Sequence, residues 1–379
     1  MTMPGGGPAG KAPLVLPPLV LHVFPTFAVG GAQVRFAALA NRFGARWRHA
    51  IVAMDGRFGC AERLDPAIAP LLLPAPVANG ANPLSSVWAL RRALREIAPN
   101  VLVTSNWGSI EWALANLAPP RRHHIHTEDG FGPEEAHGQI PRRVWTRRLG
   151  LRFSTVVLPS TVLLDAARNT WRLPEARLRY IPNGLDIGRF TPEGAAAPLD
   201  VPGEGPLIGT VAALRAEKNI ARLLEACAIL AGAGEKFRLV VIGDGAERAM
   251  LEARAAELGL TGRVRFAGHV PDPAAAYRAM DLFALSSDTE QMPFSVLEAM
   301  ATALPVAATN VGDVRVMLPE ISRPHVAART PEALAAALRP LLESEELRAR
   351  LGAANRAKAV QDYDQETMFQ AYAALIDGA

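Results

Sequence analysis

The feature that most restricts the fold of this chain is a rhythm. Short runs rich in Val, Ile and Leu recur along it, separated by stretches with helical spacing, as parallel strands joined by crossover helices require. In the first half the runs are LVLHVFPT (19 to 26), HAIVAMDG (49 to 56), NVLVTSN (100 to 106), HHIHTE (123 to 128) and TVVLPS (155 to 160). In the second they are LIGTVAAL (207 to 214), FRLVVIGDG (237 to 245), RVRFAGHV (263 to 270), LFALSS (282 to 287) and PVAATN (305 to 310). The segment between the halves, 181 to 206, is dense in Pro and Gly and has no periodicity, as an interdomain connection should. The expected fold is therefore α/β, with two doubly wound Rossmann-like domains whose strand ends face across a ligand-binding cleft. The expected division is a flexible tail over 1–18, domains over 19–185 and 186–355, and a carboxyl-terminal helix over 356–379 packing back toward the first domain.

Composition narrows the class. Half of the 379 residues are hydrophobic, enough for two sizeable cores. Cys60 and Cys227 lie far apart and away from any histidine at ligand spacing, which argues against a disulfide framework or a zinc site and fits a cytoplasmic setting. The apolar run APLVLPPLVLHVF is broken by Pro13, Pro17 and Pro18, so neither a membrane span nor a secretory signal is expected. A net charge of +3 hides an asymmetry: the first 190 residues hold 22 basic against 12 acidic residues, the rest 18 against 25. No nucleic-acid module is visible, because the basic residues are not interleaved with aromatics and no helix-turn-helix or zinc pattern occurs. The D-x-D at Asp362 and Asp364 lies outside any strand end, so no metal site is expected there.

The stretch DTEQMPFSVLEAM (288 to 300) follows a predicted strand and opens a predicted helix. Three readings of its glutamates stand side by side. Ser295 to Glu298 has the S-x-x-E spacing of a capping box. Glu290 and Glu298 could be an acid/base pair, if two separate elements hold them roughly 5 to 10 Å apart. Or the helix start could point its amides and dipole at a phosphate while the carboxylates grip a ribose and a sugar.

Other segments carry ligand chemistry of the same kind. Gly30 and Gly31, after the first strand, would permit positive φ and close backbone approach to a ligand. Lys218 offers a point charge to a diphosphate, and Arg215 a planar fork. Gly243 and Gly245 form only half of a dinucleotide fingerprint, which lowers a nicotinamide reading. His126 and Asp129 sit at a strand's carboxyl end. PRRVWTRRLGLRF (141 to 153) reads as a basic amphipathic helix whose Arg142, Arg143, Trp145, Arg147 and Arg148 suit an anionic membrane surface or, equally, a solvated face.

Taken in order, these segments resemble the family 4 retaining glycosyltransferases of GT-B fold. The resemblance rests on Glu290-x7-Glu298 followed by EAM and PV, on GGAQ (30 to 33), on IPNGLDIGRF (181 to 190), on VAALRAEKNIARLLEA (211 to 226) and on VIGDGAERAMLE (241 to 252). It implies a transferase moving a sugar, with retention, from a nucleotide diphosphate sugar to a glycan or lipid-linked acceptor, with no metal or other cofactor.

The implied roles follow position by position. Lys218 and Arg215 hold the diphosphate, Glu290 orients the sugar, and His126 faces it from the other domain. Glu298 binds the ribose, while Asn183, Gly30, Gly31, Gly243, Gly245 and the run Gln291, Met292, Pro293, Phe294, Ser295 and Val296 line the donor site. The sequence departs from the family at Ala213, where an arginine is common, and Arg215 is expected to take over. Two alternatives remain at this point: a nucleotide-sugar 2-epimerase of the same fold, and a non-catalytic nucleotide-sugar-binding protein.

Overall fold

The computed structural model describes residues 16–77, 83–131, 133–135 and 138–378. Residues 1–15 of the expected tail lie outside the described residues.

Among the described residues, thirteen strands form two sheets. The first contains β1 (Leu19–Phe24), β2 (Arg48–Ala53), β3 (Leu71–Leu73), β4 (Val101–Ser105), β5 (His123–Thr127), β6 (Thr155–Leu158) and β7 (Leu178–Tyr180) in the order β3-β2-β1-β4-β5-β6-β7. The second contains β8 (Leu207–Val211), β9 (Arg238–Ile242), β10 (Val264–Gly268), β11 (Leu282–Leu285), β12 (Val306–Thr309) and β13 (Val326–Ala327) in the order β10-β9-β8-β11-β12-β13. The pairs β1/β2, β1/β4, β8/β9 and β8/β11 are parallel, and helices alternate with strands. This is the two-domain Rossmann-like architecture expected. Each sheet runs outward from a central strand and then reverses, at β1/β4 and at β8/β11, and such switch points are where open α/β sheets bind ligands.

The ten expected runs all became strands. The other three, β3, β7 and β13, are edge strands of two or three residues, too short to show a period. By packing, the chain forms two compact units, one ending at His126 and the other spanning Thr127–Gly378.

Parallel strands bury both faces, and their side chains do so here. Leu19, Leu21 and Val23 pack with Leu90, Leu94 and Trp112 on one face of the first sheet, and Phe24 and Ile51 with Phe27 and Phe36 on the other. In the second sheet Val240, Ile242, Phe283 and Val306 face Val296, Leu297 and Met300, whereas Leu239, Val241, Leu282 and Ala307 face Leu223, Leu338 and Leu341. Each fully buried aliphatic or aromatic side chain contributes ~1.5–3 kcal/mol.

A buried histidine pair lies within the first core. His22 Nε2 and His49 Nδ1 are 3.1 Å apart, both rings buried. Burial, aided by His49, holds His22 well below the usual imidazole value, and burial lowers His49 to about 4. His124 is held low by burial and by His126 and His123. An imidazole kept neutral in the fold but protonated in the unfolded chain gives stability that is complete above pH 6.5 and lost as pH falls toward the folded value. Unfolding by urea should therefore show stability declining between pH 6.5 and about 4, with His49 alone contributing on the order of 3 kcal/mol. In His49→Gln the slope over that window should be shallower.

Candidate functional site

Of the expected site residues of the second sheet, Lys218 and Glu290 meet at the β8/β11 switch point. After β8, Ala216–Lys218 forms a single 3-10 turn, and Asn219, in the left-handed region at φ 42°, caps the helix Ile220–Gly232 through its side chain. After β11 the loop 286–293 leads into the helix Phe294–Ala301. The two loops are tied together. Ser286 Oγ donates to Lys218 O at 3.0 Å, Asp288 N donates to Glu217 O at 2.8 Å, and Asp288 accepts from Asn219 Nδ2 at 3.0 Å and Arg222 at 2.5 Å.

Across this seam Lys218 Nζ meets Glu290 Oε1 at 2.6 Å, and Ser287 Oγ donates to the same oxygen at 2.8 Å. The side chains keep 20% and 11% of their surface accessible, so the pair is shielded yet reachable by a ligand. Arg215 lies apart from it, 63% exposed and paired with Glu217 at 3.2 Å.

The capping-box reading of Ser295 and Glu298 is corrected. Pro293, extended at φ −69° and ψ 124°, occupies the cap position, and its side chain makes no capping hydrogen bond. The helix thus begins two residues earlier than that reading requires, leaving Ser295 inside the first turn and the helix start without a side-chain cap. Glu298 instead accepts from Tyr277 Oη at 2.7 Å through Oε2, while Tyr277 also reaches Ser295 O at 3.3 Å. Burial raises the Glu298 carboxyl above its ordinary value, opposed by the Tyr277 hydrogen bond and the charge of Arg189.

The loop before this helix is held from its rear. Asn183 Nδ2 donates to Met292 O at 3.3 Å, Ser160 Oγ to Gln291 Oε1 at 3.2 Å, and Asp313 N to Gln291 O at 2.8 Å. Gly312, at φ +50°, makes the last contact feasible, since a Cβ there would lie 2.5 Å from both Glu290 O and Gln291 O. Asp313 in turn accepts from Thr161 N and Oγ1 at 2.6 and 2.8 Å. Gly243, at φ +133°, packs against the loop after β8, where a Cβ would meet Ala212 O at 1.8 Å. A Cβ on Gly245 would meet Leu214 O at 2.3 Å.

In the first unit, Gly30 and Gly31 follow β1 at the β1/β4 switch point. The expected positive φ is corrected: Gly30 is extended at φ −164°, as any residue can be, and Gly31 opens the helix Gly31–Phe43. His126 is fully buried, its Nδ1 2.8 Å from Thr104 Oγ1, which also meets His124 Nε2 at 2.8 Å.

The basic helix Pro141–Gly150 also needs correction. Arg147 is completely buried, bonded to Glu128 and Glu135, and Arg143 is 13% exposed and paired with Glu134 and Glu135. Acidic residues upstream in sequence neutralise them, so they present no charge to a surface. Arg142 and Arg148 remain on the outer side, with Arg148 over the exposed Trp145 ring at 5.1 Å.

Sequence reasoning missed Ser287, Tyr277, Asp313 and Thr104. Each is a single residue in a stretch without a motif, and only the packing of separate elements gives it a partner. Tyr277→Phe removes the donor facing a buried carboxylate, so it should cost ~1–3 kcal/mol of stability in urea unfolding at pH 8. The loss should shrink as pH falls through the raised Glu298 value and the carboxyl protonates.

Comparison with known proteins agrees with this geometry. The family described as Glycosyltransferase Family 4 matches residues 29–189, and that described as Glycosyl transferases group 1 matches residues 195–358. The chain is 38% identical over 144 residues to the 2-deoxystreptamine glucosyltransferase of Streptomyces kanamyceticus, covering 35% of this chain and 36% of that protein. It is 31% identical over 200 residues to the lipopolysaccharide core biosynthesis glycosyltransferase LpsE of Rhizobium meliloti, covering 52% of this chain and 57% of that protein. The matches thus span about a third to just over half of the length of these two curated relatives. Among solved structures, Anabaena HepE in complex with UDP and glucose superposes with a TM-score of 0.77 at 18% identity, over 96% of this chain and 100% of that one. The two family matches follow one another along most of the sequence and the fold agrees with them: the chain belongs to the family 4 glycosyltransferases of GT-B fold.

Proposed function

We propose that this protein transfers a sugar from a nucleotide diphosphate sugar to a glycan or lipid-linked acceptor, with retention of anomeric configuration. The observation that carries the reading is the Lys218–Glu290 contact at the β8/β11 switch point, beside a helix start that no side chain caps. As the bond from sugar to phosphate breaks, negative charge collects on the departing diphosphate and positive charge on the anomeric carbon. Lys218 and the amides of Phe294 and Ser295 serve the first charge, and the Glu290 carboxylate orients the sugar beside the second. Pro293 has no N–H and contributes shape alone. Glu298, fixed by Tyr277, takes the ribose, and Arg215 releases Glu217 to reach the phosphates. A lysine and a helix start already offset the diphosphate charge, so the proposed chemistry needs no metal.

HepE has been solved with UDP and with UDP-glucose, which supports a uridine diphosphate sugar as the first donor to try. The assay is a panel of nucleotide sugars with glycan and lipid-linked acceptors, with and without EDTA. Transfer with retention is expected and should survive EDTA, while Lys218→Ala and Glu290→Gln should lower kcat by roughly a hundredfold or more. Absence of nucleotide-sugar binding at millimolar concentration, or unchanged activity in both variants, would overturn the reading. Turnover of donor alone to an epimer would identify the 2-epimerase instead.

The acceptor end has its own surface. Trp145, Leu149 and Phe153 are 66%, 51% and 41% exposed at four-residue spacing, and Arg148 and Arg152 lie over the two aromatic rings. Exposed aromatics beside arginines suit the interface of an anionic bilayer. Among the described residues no helix is long and apolar enough to cross a membrane, so attachment here would be peripheral. Vesicles containing anionic lipid should sediment the protein at low salt, and Trp145→Ala with Leu149→Ala should abolish this without changing transfer to a soluble acceptor.

A further inference from the structure

Arg147 has a place that a surface-binding arginine would not take. Its guanidinium is fully buried, with Nε 3.1 Å from Glu128 Oε2 and the terminal nitrogens 3.3 and 3.2 Å from the two oxygens of Glu135. Its Cζ lies 5.4 Å from the ring centroid of Phe131 and 5.1 Å from that of Trp171. Trp171 is itself tied by Nε1 to Gln139 Oε1 at 2.6 Å. Burial acts to raise the Glu135 carboxyl, but the hydrogen bonds and charge of Arg147, with Ile140 N and Arg143, hold it below the usual range. Removing one partner from such a cluster leaves buried charge uncompensated.

What the cluster holds is the chain leaving β5. Glu128 is fixed by Arg147 and Phe131 lies on it, so Asp129 and Gly130 are clamped between two anchored residues. Gly130, at φ +153°, faces the donor loop, and a Cβ built on it would stand 3.1 Å from Gln291 Cγ. Gln291 adjoins Glu290, whose carboxylate meets Lys218. A line of neighbouring residues therefore leads from the buried guanidinium through Gly130 and Gln291 to the carboxylate that the proposed chemistry uses.

We infer that Arg147 is a positioning residue: by clamping Glu128, Glu135 and Phe131 it holds the Asp129–Gly130 turn against Gln291 and so fixes Glu290 for transfer. The inference rests on the function proposed above. Arginine suits this task because its planar fork engages two carboxylates at once while stacking between rings, which a lysine cannot do.

The test compares Arg147→Lys, Gly130→Ala and their combination, each assayed well below its melting temperature. Arg147→Lys should lower kcat roughly ten- to a hundredfold, with the Kd for UDP within about threefold of the parent protein. Gly130→Ala, which changes none of the cluster's side chains and strains the turn at its φ of +153°, should produce the same split, and the double variant should be no slower than the worse single one, because both act through one contact. Unchanged kcat in the folded Arg147→Lys protein, or effects that multiply in the double variant, would overturn the inference. Should Arg147→Lys fail to fold, Gly130→Ala decides alone: a parental kcat defeats the proposal. Amide hydrogen exchange gives a readout independent of turnover. Arg147→Lys, or Gly130→Ala in its place, should loosen 129–131 and 290–292 together, and protection unchanged at 290–292 would refute the path. An inactive parent protein with these exchange effects present would count against the proposed function and not against the clamp.

Discussion

The site depends on one contact, the 2.6 Å ion pair between Lys218 and Glu290. The two residues are 72 positions apart, and only the reversal of strand order between β8 and β11 brings their loops side by side. Because parallel strands place all their carboxyl ends on one edge, every loop that follows them opens on the same side of the sheet. A lysine after the central strand and a glutamate after its neighbour are thereby brought within reach of each other. Most of the remaining hydrogen bonds in this region hold the two loops in register.

Polar burial in this protein serves placement. Asn183, Ser160, Asp313 and Gly312 all contact the backbone or side chain of residues 290–292. Tyr277 does the same for Glu298 from a separate helix. Each such contact exchanges bonds to water for bonds within the protein, so its net stabilisation is only about 1 kcal/mol, and its larger consequence is a unique arrangement.

The basic helix shows how far charge counting reaches. Five arginines between 141 and 153 suggest a uniformly positive face, yet the fold turns Arg143 and Arg147 inward onto Glu128, Glu134 and Glu135. A helix rotates neighbouring side chains by about 100° per residue, so Arg147 and Arg148 point to different environments. Which one faces inward depends on the elements packed against the helix. The exposure of Trp145 and Leu149 follows from the same rotation, and Phe153 lies just beyond the helix end.

By itself, the sequence determined the ten long strands, the α/β class and the loops that bear Lys218, Glu290, Glu298 and Gly243. Apolar runs of limited length and glycines after strands are local signals, and local signals survive in one dimension. Tertiary structure alone decided that Pro293 and not Ser295 starts the helix at 294, and that Tyr277 is the partner of Glu298. It also decided that Gly30 is extended and that Arg147 is an internal clamp. Each of these depends on which residue of another element lies within about 3 Å for a hydrogen bond or 4 Å for packing, and no spacing along the chain encodes that neighbour.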